Sequence, residues 1–235
     1  MKYKMFGFTA AALAAATQMT FAGDITGVVK LTGTAPAEKT ITPLKDDPQC
    51  GKLQTETPTT HFYTVGAGGE LADVIISVEG ISGKSTGAGA SAALLDQKGC
   101  TYVPQILAVQ TGQKIIVKNS DPVLHNVHDQ PAASPGNAER NEAQMSGAPD
   151  IAFSFTKPEM FLKFKCDVHP WMFAWVSVFD HPYYAVSGKD GSFKIANVPP
   201  GKYTIKAAHR KAGVVTQEVE VKDSGATVKF ELGAK

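Results

Sequence analysis

Long apolar runs, a surplus of one charge and helical periodicity are all missing from most of this chain. Past its first residues no segment is apolar and long enough to span a bilayer as a helix. The 23 basic and 22 acidic residues nearly cancel, which leaves no one-sided positive footprint of the kind nucleic-acid binding needs. Nowhere do apolar residues recur at the three-to-four spacing of an amphipathic helix over any length. That excludes helix bundles and doubly wound α/β folds. Cysteine is scarce as well, with only Cys50, Cys100 and Cys166.

What is present begins with an export signal. Lys2 and Lys4 precede an alanine-rich apolar run from Phe6 to Ala16, and Thr20-Phe21-Ala22 offers a small-x-small cleavage site before Gly23. Residues 1–22 therefore read as a Sec-type signal peptide and the product as periplasmic. Roughly 213 residues remain, more than one small β-sandwich needs, so two modules are expected. In an oxidising compartment two of three cysteines pair and the third needs a reason to stay reduced. Cys50 and Cys100 lie in polar, glycine-flanked loops, whereas Cys166 shares a short loop with an imidazole. We pair Cys50 with Cys100 as an expectation, since spacing alone does not determine connectivity.

Short alternating runs with turn residues between them fill the rest of the chain. Ile25–Leu31 is β-branched and alternates; Leu71–Val78 is almost continuously apolar. A Pro/Thr/Lys-rich loop separates those two, and Gly80–Gly89 reads as a flexible connection at a domain boundary. Tyr102–Val109 and Gln113–Asn119 read as two strands joined tightly at Thr111-Gly112. Asp129–Asp150 is polar and reads as a long surface loop. Strands follow at 151–156, 160–165 and 174–179, then at 192–195, 202–207, 214–221 and 226–232, with turns at Asp190-Gly191 and Pro199-Pro200-Gly201. The fold class expected is all-β, built from sandwiches.

One stretch carries chemistry. Cys166-Asp167-Val168-His169-Pro170-Trp171-Met172 places a thiol, an imidazole and a thioether in one loop at the spacing Cys-x2-His-x2-Met. Upstream, His125 supplies a second imidazole, with Asn126 beside it. A soft thiolate, two imidazoles and a weak thioether form the ligand set of a mononuclear type-1 copper centre. Asn126 has a supporting part available, its amide tying the His125 strand to the Cys166 loop. His128 falls on the opposite strand face from His125. His61, His181 and His209 have no partners in the pattern. Leu124, Trp171 and Phe173 suggest an apolar surface around a histidine edge where a redox partner docks.

Leu124-His125-Asn126-Val127-His128 together with Cys166 through Met172 resembles the amicyanin-type cupredoxins, the blue-copper proteins. The resemblance implies a Greek-key β-sandwich over 90–182, one copper ion held by His125, Cys166, His169 and Met172, and single-electron transfer. Ile25–Val29, Leu71–Val78, Asp190–Phe193 and Pro199–Tyr203 resemble the carboxypeptidase regulatory-like sandwich, of transthyretin or carbohydrate-binding type. That second likeness implies a discontinuous module over 23–80 and 183–235, with the copper domain inserted. The combination is similar to periplasmic proteins labelled methylamine-utilization-like. Partners implied are a c-type cytochrome or a dehydrogenase, with polysaccharide contact through the flanking module. An oxidase or nitrite reductase would need a His-x-His pair or a Cys-His adjacency, and neither occurs, so no enzyme is expected. Two alternatives stand beside the carrier: a copper or zinc trafficking or storage protein, with zinc on Cys166, His169, His125 and His128, and a surface-binding module whose copper is accessory.

Overall fold

The computed structural model describes residues 22–132 and 136–235; the expected signal peptide, all but its last residue, lies outside them. The protein is all-β, and the strands follow from the alternation. In β1 (Gly23–Thr32) the buried positions Ile25, Val29 and Leu31 fall on one face. Gly27 completes that face because nothing larger fits: a Cβ there would stand 2.1 Å from the Val228 carbonyl oxygen and 2.7 Å from the Phe193 ring. A five-residue helix, α1 (Thr42–Asp46), precedes β2 (Ile75–Val78). The apolar run expected from Leu71 is interrupted at Asp73, whose φ of 62° breaks the extended backbone.

Nine strands then follow: β3 (Ala93–Gln97), β4 (Tyr102–Val103), β5 (Ile106–Gln110), β6 (Ile115–Asn119), β7 (His125–Gln130), β8 (Arg140–Gln144), β9 (Ile151–Phe153), β10 (Glu159–Lys165) and β11 (Phe173–Phe179). The chain ends with β12 (Tyr184–Val186), β13 (Ser192–Val198), β14 (Gly201–His209), β15 (Gly213–Val221) and β16 (Ala226–Gly233). Strand orders are β13-β1-β16, β12-β2-β14-β15, β4-β3-β6-β9 and β5-β11-β10-β7-β8. The first two sheets share a core that includes Val29, Ile76, Phe193, Ile205 and Phe230. The last two share another, with Leu95, Val117, Phe153, Phe164 and Val176. Parallel pairing of β1 with β16 brings the two ends of the described chain into one sheet.

The near-continuous apolar character of β2 has a physical cause. Ile76 and Val78 enter the first core, while Ile75 points the other way, into a cluster with Ile106 and Phe179. Buried on both faces, β2 is the seam between the two pairs of sheets. At roughly 2 kcal/mol for each buried side chain, this small cluster is a modest contact beside either main core.

Three expectations change. The runs 102–109 and 113–119 do not pair: β5 lies parallel to β11, β6 lies parallel to β3, and the Thr111-Gly112 turn crosses from one sheet to the facing one. The expected surface loop 129–150 contains β8, antiparallel to β7 from His125↔Gln144 to Asp129↔Arg140. Its Arg, Asn and Glu conceal it because it is an edge strand with one wet face. The glycine-rich connection 80–89 is tied down, with Ser85 Oγ donating to the Thr111 carbonyl (2.7 Å) and the Thr86 N–H to Gln110 Oε1 (2.8 Å).

Candidate metal centre

The antiparallel register Lys165↔Phe173 makes Cys166–Met172 the connection between β10 and β11. Two backbone bonds close it: the Cys166 N–H donates to the Met172 carbonyl (3.1 Å) and the Met172 N–H to the His169 carbonyl (2.9 Å). On the other side of β10 lies β7, paired at Lys165↔His128, which carries His125 up to the loop. The ring nitrogens of His125 and His169 and the sulfur of Cys166 lie within 4.8 Å of one another. His169 Nδ1 is 3.0 Å from His125 Nδ1 and 3.6 Å from Cys166 Sγ. His125, Cys166 and His169 are buried, and Met172 is buried in the same core as Cys166.

Asn126 ties the strand to the loop. Its Oδ1 accepts from the Asp167 N–H (2.6 Å), the Val168 N–H (3.3 Å) and the Cys166 thiol (3.3 Å), while its own N–H points at Cys166 Sγ (3.5 Å). Burial pushes the Cys166 thiol up, but its interaction with His125 and the N–H groups of Asn126, His169 and Val168 outweigh that, and the net shift is downward. The loop thus favours the thiolate, the form that binds metal.

Asp121, which in the sequence reads only as part of a turn, stands behind His125. It is buried, and Oδ2 takes the His125 Nε2–H at 2.9 Å and the Cys100 N–H at 2.7 Å, while Oδ1 takes the Gly99 N–H at 2.6 Å. Burial pushes the Asp121 carboxyl up, but these hydrogen bonds outweigh it and hold the carboxyl below its usual range. With Nε2–H committed to Asp121, His125 turns Nδ1 towards Cys166 and His169, and in the neutral ring that nitrogen carries the lone pair a metal would take. The spacing Asp-x3-His across a proline was the available signal.

The disulfide joins Cys50 to Cys100, and Cys166 is the free cysteine. It does more than staple a loop. Leu44, Cys50, Cys100 and Val123 form a buried cluster, joined by Trp171, and the disulfide sulfurs lie within 4.8 Å of a His169 ring nitrogen. The Trp171 Nε1–H donates to the Cys100 carbonyl at 3.1 Å. His169 is consequently only 7% exposed. The open histidine edge expected from Leu124, Trp171 and Phe173 is therefore covered. Leu124 is exposed, but Trp171 turns inward and residues 41–53 cap the site.

His128 lies apart from the donor group. Its Nδ1 meets Asp167 Oδ2 at 2.8 Å and its Nε2 meets Glu139 Oε1 at 2.5 Å. His181 accepts the Tyr183 N–H, and His61 is exposed. His209 is buried, its Nδ1 accepts the N–H groups of Lys211 (3.3 Å) and Ala212 (3.0 Å), and burial pushes it down to about 4. A histidine depressed in the folded state takes up its proton on unfolding. Its contribution to stability is therefore complete above about pH 6.5 and is lost as the pH falls towards 4, about 3 kcal/mol in all. His209→Asn, which keeps an acceptor for those N–H groups, is expected to remove that part of the pH slope in urea unfolding. A slope equal to wild type would assign it elsewhere.

Residues 181–232 match the family model of the second β-sandwich domain of the BOS complex subunit NOMO1-like proteins. No curated protein matches the chain significantly. Among solved structures, a Cu(I) amicyanin variant is 20% identical over 44% of this chain and 97% of its own, with a TM-score of 0.33. A purple cupredoxin from Nitrosopumilus maritimus is 20% identical over 37% of this chain and 98% of its own, TM-score 0.31. A copper-containing nitrite reductase from Thermus scotoductus is 17% identical, TM-score 0.33; the match covers 38% of this chain and 22% of the reductase. Likenesses this distant carry no argument about function.

Proposed function

We propose that the chain binds one copper ion, which His125, Cys166 and His169 would hold with Met172 as a weak further donor, and carries single electrons between redox partners in an exported compartment. The observation behind this reading is the convergence of one thiol and two imidazoles within 4.8 Å, all buried. One soft sulfur and two borderline nitrogens suit copper in both oxidation states, and the bound ion would supply a one-electron couple. The chain's own residues do the positioning. Asp121 holds the Nε2 proton of His125, Asn126 holds the Cys166 loop, and two backbone bonds close that loop. A site braced from three sides has little to rearrange when charge changes.

The zinc arrangement is disfavoured by His128, which is engaged by Asp167 and Glu139. Metal storage or trafficking is the second reading, favoured by the covered His169 edge. Optical and electron-paramagnetic-resonance spectra of the copper-loaded protein test the proposal. An intense visible thiolate-to-copper band is expected, and a colourless, tightly loaded protein would move the reading to storage. Reduced protein should then pass electrons to a c-type cytochrome. Met172→Gln is expected to keep copper bound and lower the reduction potential, because a harder oxygen donor in place of the thioether would stabilise the oxidised ion. An unchanged potential removes Met172 from the ligand set.

A further inference from the structure

A cavity of about 210 Å³ opens where the β14–β15 turn meets the outer face of β10 and β11. None of the metal donors lines it. Its walls combine three features that favour an anion with a flat apolar body. The first is unneutralised positive charge. Lys163, Arg210 and Lys211 line it, and among the described residues none of the three is ion-paired or hydrogen-bonded through its side chain. Each instead lies over an aromatic ring: the Arg210 guanidinium 3.6 Å from the centre of Trp175, the Lys211 ammonium 4.1 Å from Phe62, and the Lys163 ammonium 5.9 Å from Trp175. Stacking uses the guanidinium's face and leaves its N–H groups, which lie in the plane, free to donate.

The second feature is an imidazole whose remaining N–H is open to the cavity side, on a ring that is otherwise enclosed. His209 is 5% exposed, and its Nδ1 is occupied as an acceptor by two backbone N–H groups. A neutral ring so held carries its proton on Nε2, and that N–H has no hydrogen-bond partner among the described residues. The third is backbone conformation. His61 and Asp73, both lining residues, adopt φ values of 47° and 62°. Non-glycine residues in that region are held there at a cost and gather at ligand sites. Asp73 is the one carboxylate in the wall, and burial raises its carboxyl towards the neutral form.

We propose that this cavity is a binding site for a small aromatic monocarboxylate. The carboxylate meets Arg210, Lys211 and the His209 N–H, and the ring lies among Phe62, Phe173 and Trp175. Drug-sized ligands occupy larger pockets, from about 300 Å³ upward, so the site takes a single-ring molecule. The proposal is independent of the metal centre and is tested on the metal-free full chain.

Benzoate, titrated by calorimetry and followed by tryptophan fluorescence, is expected to bind saturably at one site. Benzyl alcohol, which keeps the ring and loses the charge, should bind at least about tenfold more weakly. Arg210→Gln and Lys211→Gln should each weaken benzoate about tenfold, with Arg210→Lys recovering part of the loss. Both residues are exposed, and melting curves confirm that the variants stay folded; if Arg210→Gln unfolds, Lys211→Gln decides. No saturable binding at millimolar benzoate, equal binding of benzyl alcohol, or affinity unchanged in the folded glutamine variants would each overturn the proposal.

Discussion

Copper-supplemented Cys166→Ser is expected to stay colourless and to remain folded. The visible band of a thiolate–copper bond needs a sulfur that gives up its proton near neutral pH, and a serine hydroxyl does not. The site is built to draw that proton away: the N–H of Asn126 points at Cys166 Sγ, and the N–H groups of the loop lower the thiol against the opposing effect of burial. Structurally the change is small. Serine is close in size, and Asn126 Oδ1 keeps the Asp167 and Val168 N–H groups whatever atom stands at position 166. A loss of about 1 kcal/mol is expected, the scale of one altered buried hydrogen bond. The measurement pairs an absorption spectrum with a urea melt of the metal-free protein. A surviving intense band would place the metal on other residues and end the proposal.

Replacing the staple should cost far more. Cys50→Ala with Cys100→Ala opens a link between residues 50 positions apart. The chain-entropy relation gives about 4 kcal/mol for a closed loop of that length, a large fraction of an ordinary domain's stability. The loss is not confined to the staple, because the same cysteine braces the metal site: the Cys100 N–H bonds Asp121 and its carbonyl receives Trp171. The double variant should therefore also release copper to a chelator faster than wild type. Urea unfolding under non-reducing conditions gives the first quantity and stopped-flow chelation the second. A stability change below about 1 kcal/mol would mean that Leu44 and its neighbours hold the cap by packing alone.

Strand positions were the easiest feature to read, for a physical reason. A half-buried strand repeats every two residues, so β1 and β13 to β16 announce themselves wherever one face is apolar and the other wet. Strands that depart from this pattern are harder to read. Edge strand β8 carries too much charge to show, and β2, buried on both faces, reads as a strand that starts too early, at Leu71 instead of Ile75. Pairing was harder still. Nothing in residues 106–119 says that β5 and β6 belong to facing sheets, because register and partner are decided by side chains distant in the sequence. At the metal centre the contrast is similar. Cys166, His169 and Met172 are gathered by one short loop, whereas Asp121 and the cap matter only through contacts with residues far along the chain.

Local order, then, determined that this chain is a β protein with a soft-donor loop between two strands, since alternation and loop spacing act over a few residues. Tertiary structure decided the rest. It placed His125 against that loop, set Asp121 behind it, and drew residues 41–53 over His169 with the Cys50–Cys100 link. It also pressed Arg210 onto Trp175 at the seam. Each of these depends on which strands pair and which faces meet, and those choices minimise exposed apolar surface and unpaired backbone over the whole molecule.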